Sequence, residues 1–272
     1  MILLSDSGDT ALAATVTTKG AVISKVLGTI LGFNVVITGK VTTGGSTWKG
    51  VSNLVSQVTI KDAAHNVICQ PQTSDFQDMA FWLNPKGIYV ADTMLAASTV
   101  AVTSWFYLPF SVKPGDQPLS LQTAFNPYTS GEASASAGTG RVQIFGVFDD
   151  SAAIAANAQT QRVSKFAVTS VVGDNFMQSQ LAKGQVTNAL CFKISTEADL
   201  TSFTFSSAGQ TEIDQITIGE ATSLDNELLN SGHESTYFFV RASPFTCNDA
   251  TNFDINSTTA ALTLTVFQFY VT

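Results

Sequence analysis

Gln57-Val-Thr-Ile-Lys-Asp62 occurs a second time, altered, as Gln215-Ile-Thr-Ile-Gly-Glu220, 158 residues further along. A weaker match runs in the same order: Phe33-Asn-Val-Val-Ile-Thr38 precedes the first copy and Phe192-Lys-Ile-Ser-Thr196 the second, at an offset of 159. An overlooked repeat miscasts the whole fold, so it is the first thing to weigh. A unit this long is no solenoid repeat, and the pattern implies two domains of one kind in tandem. Chance similarity between strands rich in Val, Ile and Thr is the alternative reading.

The chain has 272 residues, enough for one large or two ordinary domains with ample core. Charged residues make up 12%, about half the usual share. Ser and Thr are abundant, so the chain is polar without being charged. Charges are depleted at the centres of protein interfaces, and a surface that avoids them expects company. Disorder is argued against by 44% hydrophobic content and 19 Phe. The net charge of −8, with no basic block, disfavours sequence-independent binding to nucleic-acid phosphates. Cys69, Cys191 and Cys247 stand far apart in no ligand spacing, which implies buried free thiols and neither a disulfide framework nor a zinc site. Met1-Ile-Leu-Leu-Ser-Asp6 lacks the basic start of a signal peptide, and no apolar run approaches the ~20 residues of a membrane-spanning helix.

Along the chain, residues 1–24 are mostly small and polar and read as an N-terminal arm. Residues 22–33 suit a helix face or, given Gly28 and Gly32, a strand entering near Thr29; the strand is favoured. Asn34–Thr43, Leu54–Lys61 and Val67–Cys69 read as strands separated by turns at Thr43-Gly-Gly-Ser46 and Asp62-Ala-Ala-His-Asn66. Residues 71–98 look like an insertion at a loop tip, with a short helix near Phe76. Val100–Val112 is apolar on both faces and is expected to lie buried between layers. Leu119–Phe125 and Arg141–Phe148 follow as strands. Asp149-Asp-Ser-Ala-Ala-Ile-Ala-Ala marks a short, acid-capped helix or linker, placing the boundary between halves near residue 155. The second half reads as strands at 165–172, 189–196, 202–206, 212–218 and 236–242, with a helical turn near Asp225. The closing strand, 262–272, is apolar on both faces over Phe267–Val271 and should be central. The organisation expected is therefore an arm over 1–24, a first domain over 25–155 carrying the insertion 71–98, and a second over 156–272. The fold class is all-β: two tandem eight-stranded antiparallel jelly-roll sandwiches with short helices in loops.

Catalytic chemistry is sparse. His65 and His233 both fall in turn signals and read as solvated loop residues. Nucleophile elbow, P-loop and dinucleotide fingerprint are all missing from the sequence. Asp149 and Asp150 are adjacent, and side chains of strand neighbours point to opposite faces, which does not suit a glycosidase pair. Asn252-Phe-Asp-Ile-Asn256 spaces oxygen side chains like the start of a calcium loop, without its central Gly or closing Glu; a loop before a strand explains the same residues. Asn256-Ser-Thr spells a glycosylation sequon in a chain with no secretory signal. The expectation is a non-enzyme with no catalytic, cofactor-binding or metal residues.

The strand at 31–43, the Gly/Ser/Thr turn and Trp48-Lys-Gly-Val-Ser-Asn-Leu-Val-Ser-Gln-Val-Thr-Ile-Lys-Asp-Ala-Ala-His-Asn-Val-Ile68 resemble the first-roll strand pair of double jelly-roll major capsid proteins. These belong to tailless icosahedral viruses of the adenovirus–tectivirus–corticovirus lineage, notably phages with an internal membrane. Trp105-Phe-Tyr-Leu-Pro-Phe110, followed by Pro-Gly-Asp116 and Leu119, suits the same family. The resemblance implies a structural protein whose homotrimers, pseudo-hexagonal in outline, tile a virion shell. Its partners would be itself, minor capsid or penton proteins and, indirectly, an internal membrane; it would be made in the host cytoplasm. Residues 1–24 carry a single cation, Lys19, which disfavours direct attraction to anionic lipid. Two other readings use the same fold. A carbohydrate-binding or adhesion module, or a viral spike, would present exposed aromatics, with Trp48, Trp82, Trp105 and Tyr128 as candidates and core or interface as the plainer role of Trp105. A cupin-type enzyme would need a His-rich metal set that two histidines do not supply.

Overall fold

A computed structural model describes residues 1–11, 17–23, 28–43, 50–70, 100–126, 137–176, 184–194, 199–207, 210–217, 219–220, 237–240, 245–247 and 252–272. Two compact units divide the chain, Met1–Thr160 and Gln161–Thr272.

The first unit holds β1 (Ile2–Asp6), β2 (Thr10–Ala11), β3 (Thr17–Val22), β4 (Thr29–Thr43), β5 (Val55–Lys61), β6 (Val67–Cys69), β7 (Val102–Leu108), β8 (Ser120–Phe125) and β9 (Ala137–Asp149). One sheet runs β1-β9-β4-β7 and the other β3-β8-β5-β6, with every pairing antiparallel. β2 pairs with β9 beyond β1, so β1 and β2 are one strand interrupted at Ser7-Gly8-Asp9. Counted so, first pairs with eighth, eighth with third and third with sixth, while second, seventh, fourth and fifth make the facing sheet. That order is a jelly roll.

The second unit repeats it. Its strands are β10 (Gln161–Thr169), β11 (Gly173–Phe176), β12 (Val186–Ile194), β13 (Leu200–Ser207), β14 (Gln210–Thr217), β15 (Tyr237–Val240), β16 (Phe245–Thr246), β17 (Asn252–Ser257) and β18 (Thr263–Val271). The sheets run β10-β18-β12-β15 and β11-β17-β13-β14, and β15 and β16 are two pieces of the sixth strand, both on β12. The all-β, two-roll expectation holds.

Period-two alternation explains the cores. Along β4, Phe33, Val35 and Ile37 point inward and are fully buried, while Asn34, Val36 and Thr38 are only half-buried on the other face. Val58 and Ile60 of β5, Leu121 of β8 and Val142 and Ile144 of β9 join them. In the second roll Leu264 and Val266 of β18 and Ile255 of β17 are buried in the same manner. Gly28, at φ +102°, opens β4 where a side chain would collide with the backbone of Asp149. Gly32 leaves room for the Tyr107 ring.

Several expectations are corrected. Residues 1–24 do not form an arm: β1, β2 and β3 are the first two strands of the roll, hydrogen-bonded to β9 and β8. Their small, polar composition concealed this because a strand at the edge of a sheet needs only backbone pairing and one apolar face. The expectation that 100–112 is buried on both faces also fails. β7 is the outermost strand of its sheet among the described residues, and Thr103 and Trp105 are exposed. The segment after the short helix α1 (Ala152–Asn157) belongs with the first unit, because Gln159 O accepts from Ser111 Oγ (2.8 Å) and Thr160 Oγ1 from Lys113 N (3.2 Å). Ser151, not an acid, caps that helix; Asp149 Oδ1 accepts from Ser151 N (2.7 Å) instead. Asn252–Ser257 is strand β17, not a loop. The insertion 71–98 and the turn near Asp225 lie outside the described residues.

The repeat is half correct. Phe33 and Phe192 both lie in third strands, β4 and β12, in matching positions of the two rolls. Gln57 lies in a fourth strand, β5, but Gln215 lies in a fifth, β14, so the longer match joins unlike strands and is a coincidence of β-branched composition. The central place of the last strand is correct: β18 lies between β10 and β12 and both its faces are buried over Val266–Phe269.

Candidate assembly surface

The outward face of the β1-β9-β4-β7 sheet is built in registered rows. Leu3, Phe145, Asn34 and Tyr107 stand opposite one another across the four strands. Asp6, Gln143, Val36 and Trp105 form the next row, and Arg141, Thr38 and Thr103 the third. Leu3 is 47% exposed and Trp105 41%, with Phe145, Val36 and Tyr107 half-buried between them. Leu3 and Trp105 stand at opposite edges of the sheet, with polar Asn34, Asp6 and Gln143 interleaved among the apolar positions of the same rows, and lone exposed apolar residues are ordinary. Burial raises the Tyr107 phenol above its usual pKa.

One corner of this face is an ion pair. Arg141 Nε donates to Asp6 Oδ1 (2.9 Å), its Nη2 donates to Oδ2, and Gln143 Nε2 donates to Oδ2 (2.9 Å). The Arg141 hydrogen bonds, with help from Gly8 N and Gln143, hold the Asp6 carboxyl well below the usual range. This pair ties β1 to β9.

The corresponding sheet of the second roll is different. Phe267, Phe269 and Val163 occupy its outward positions and are 0%, 1% and 9% exposed. Lys165 lies beside them, its Nζ 5.4 Å from the Phe267 ring centre, within cation–π range.

On the β11-β17-β13-β14 sheet Asp174 and Asp254 share the outward face with Asn256 and Thr204. Asn256 Nδ2 donates to Asp174 Oδ1 (2.7 Å), and Asn256 Oδ1 accepts from Thr201 Oγ1 (2.7 Å). Burial, and then the Asp174 charge, raise the Asp254 carboxyl above its usual pKa. The calcium-like spacing therefore lies on a strand, where Asp254 and Asn256 share a face and Ile255 points to the core. Among the described residues no group of three His, Cys, Asp or Glu comes together.

These two carboxylates give opposite pH signatures. Asp6 titrates lower when folded than unfolded, so its contribution is whole above about pH 4 and is lost as pH falls further. Asp6→Asn should melt below wild type at neutral pH, and the gap should close in acid. Asp254 titrates higher when folded, so its ionised form weakens the fold. Asp254→Asn should melt above wild type at neutral pH and converge with it as pH falls towards about 4. Thermal melts of both variants between pH 2.5 and 8 check the signs.

The remaining candidates scatter. His65 sits exposed in the turn at φ +65°, where Asp62 O accepts its N–H (2.9 Å). Asp149 ends β9 and Asp150 is exposed, so they are a strand end and a loop residue. Cys69 and Cys247 are buried and form no disulfide, and Cys191 lies in β12. Trp48, Trp82, Tyr128 and His233 lie outside the described residues. Sequence reasoning placed Trp105 in core or interface, and its exposure removes the core. Leu3, Val36 and Phe145 were not singled out, although the alternation along each strand carries the signal.

No family model and no curated protein matches this chain. Solved structures do. The STIV MCP superposes with a TM-score of 0.69 at 10% identity, over 97% of this chain and 94% of its own. The major capsid protein P2 of bacteriophage PM2 gives 0.61 at 10% identity, over 100% and 97%. The PBCV-1 virus capsid gives 0.57 at 10% identity, over 99% and 92%. The likeness is one of fold, and it runs the length of both chains in each case: this chain has the double jelly-roll fold of these capsid proteins.

Proposed function

We propose that the chain is a structural, non-enzymatic major capsid protein that assembles into the shell of an icosahedral virion. The carrying observation is the pair of complete jelly rolls in one chain, matched end to end by viral major capsid proteins. The low charge content and the exposed Leu3 and Trp105 of the first roll support it, since both suit a protein that meets many neighbours. In this reading the unit is a homotrimer with a pseudo-hexagonal outline, each chain giving two rolls. Neighbouring trimers, minor capsid or penton proteins and, through them, an internal membrane are its partners. Its place is the virion shell of a bacteriophage or similar virus, after synthesis in the host cytoplasm.

Light scattering with negative-stain imaging tests this. A particle near three times 28.8 kDa with a six-cornered outline is the expected result. A chain that stays monomeric at high concentration overturns the reading. Carbohydrate binding is then next in line, because Trp105 is exposed.

A further inference from the structure

Outward polar side chains elsewhere in the molecule bond one another: Asp6 pairs with Arg141 and Gln143, Thr38 with Thr103, and Asp174 with Asn256. The outward face of β3-β8-β5-β6 is different. Its registered rows are Gly20, Gln122 and Thr59, then Val22, Ser120 and Lys61, across β3, β8 and β5. These six residues line a depression of about 260 Å³. Among the described residues, the side chains of Thr59, Lys61, Ser120 and Gln122 have no hydrogen-bond or ion-pair partner. Thr59 is only 6% exposed, so a nearly buried hydroxyl is left open towards the depression. Buried polar groups normally have a partner, and one that lacks it within the chain points to a ligand. We propose that this depression binds an acidic sugar, a single ring bearing hydroxyls and one carboxylate. Lys61 takes the carboxylate, and Thr59, Ser120 and Gln122 take the ring hydroxyls.

Size and chemistry select that ligand. Pockets for drug-sized molecules measure about 300–1,000 Å³, so this one is scaled to a single ring. Opposed side chains stand about 5 Å apart and successive rows about 7 Å apart, so the four polar groups corner a patch the width of one sugar. Hydroxyl and amide groups both donate and accept, as a polyol does, while an ammonium only donates and carries charge. A neutral sugar leaves Lys61 without a use. A phosphate group is held by several cations or by a nest of free backbone N–H groups; here there is one cation, and the backbones of β8 and β5 are already paired. An acidic side chain of a partner protein would use Lys61 but leave Thr59 unmatched. Gly20 supplies the room, since a Cβ there would meet nothing closer than Leu121 O at 3.8 Å. Val22, 81% exposed, gives an apolar rim for the C–H face of the ring. The inference does not depend on the assembly reading above.

Saturation-transfer NMR on the full chain tests this, with glucuronate as the probe and glucose and acetate for comparison. Glucuronate should bind saturably and about 5-fold or more tighter than either, because each of the others supplies only part of the contacts. Two variants attack the site from opposite walls. Lys61→Gln should weaken glucuronate by about 5–10-fold and leave glucose unchanged. Gly20→Val fills the depression with a residue suited to a strand and should abolish binding of both sugars. Circular dichroism confirms the fold of each variant, and should Gly20→Val fail to fold, Lys61→Gln decides alone. Glucuronate that does not saturate, or that binds both variants as it binds wild type, overturns the proposal. Acetate as tight as glucuronate would reduce the site to a bare carboxylate contact, and inorganic phosphate that displaces glucuronate would make it a phosphate site; either result overturns the sugar. An N-acetyl-glutamate amide that competes better than glucuronate gives the depression to an acidic protein partner and overturns it too.

Discussion

Phe33→Ala should destabilise the first roll by about 3–5 kcal/mol, the range for removing a buried aromatic ring from a packed core. Phe33 has no solvent exposure and stands on β4, between β9 and β7, opposite Leu108 on one side and Gly146 on the other. Gly146 brings no side chain to that contact, and Leu4 packs against its backbone. The neighbours of Phe33 along the strand, Val35 and Ile37, are fixed in registered pairs on both sides, so the site has little freedom to collapse around the lost ring. For a roll of this size the loss corresponds to a melting temperature lower by roughly 10 °C or more. Phe33→Leu, which keeps most of the volume, should lose less than half as much. Calorimetry of the three proteins is the check, and an Ala variant that melts with wild type would remove Phe33 from the core.

Asn175→Ala should have the largest effect in the second roll for a different reason. Asn175 is buried in β11, just after the β10–β11 turn, and its amide ties that turn and the start of β11 to β17. Its Oδ1 accepts from Val171 N (2.7 Å), and its Nδ2 donates to the carbonyls of Val171 (3.1 Å), Gly173 (2.9 Å) and Ile255 (3.0 Å). Truncation leaves these backbone groups without that partner, the Ile255 carbonyl in a buried contact and those of Val171 and Gly173 nearer solvent, a loss of about 1–3 kcal/mol. Asn175→Asp separates hydrogen bonding from packing. At neutral pH the carboxylate keeps the Val171 bond but faces three carbonyl oxygens, so this variant should be at least as unstable as Ala. Protonation restores one donor, so the Asp variant should recover relative to Ala as pH falls towards about 4. Equal acid responses in the two variants would mean that the donor bonds contribute nothing.

Much of the architecture was legible from the residues. β4, β5, β6, β8 and β18 fall where Val, Ile, Phe and Thr cluster between turn signals, because a half-buried strand imposes period two on its sequence. The doubling was legible too, through Phe33 and Phe192, though the longer match at Gln57 and Gln215 arrived there for the wrong reason. β1, β3, β11 and β17 were hidden. They are short or rich in Ser, Thr, Asn and Gly, and backbone pairing to a neighbour far away in sequence supplies what their side chains do not announce.

The chain by itself therefore determined the class of the fold: strand chemistry and the lack of long helical patterns are local properties that each segment carries alone. The low charge content likewise pointed to assembly before any contact was placed. Only the tertiary structure decided which strands pair and which faces are bare. Val100–Val112 is apolar on both sides, and nothing within it distinguishes a strand buried between layers from one at a sheet edge with Trp105 turned to solvent. That difference is set by long-range pairing, Val36 opposite Trp105 and Phe145 opposite both Leu3 and Asn34, which joins residues 69 to 142 positions apart. A surface made from four distant strands exists only once the sheet has closed.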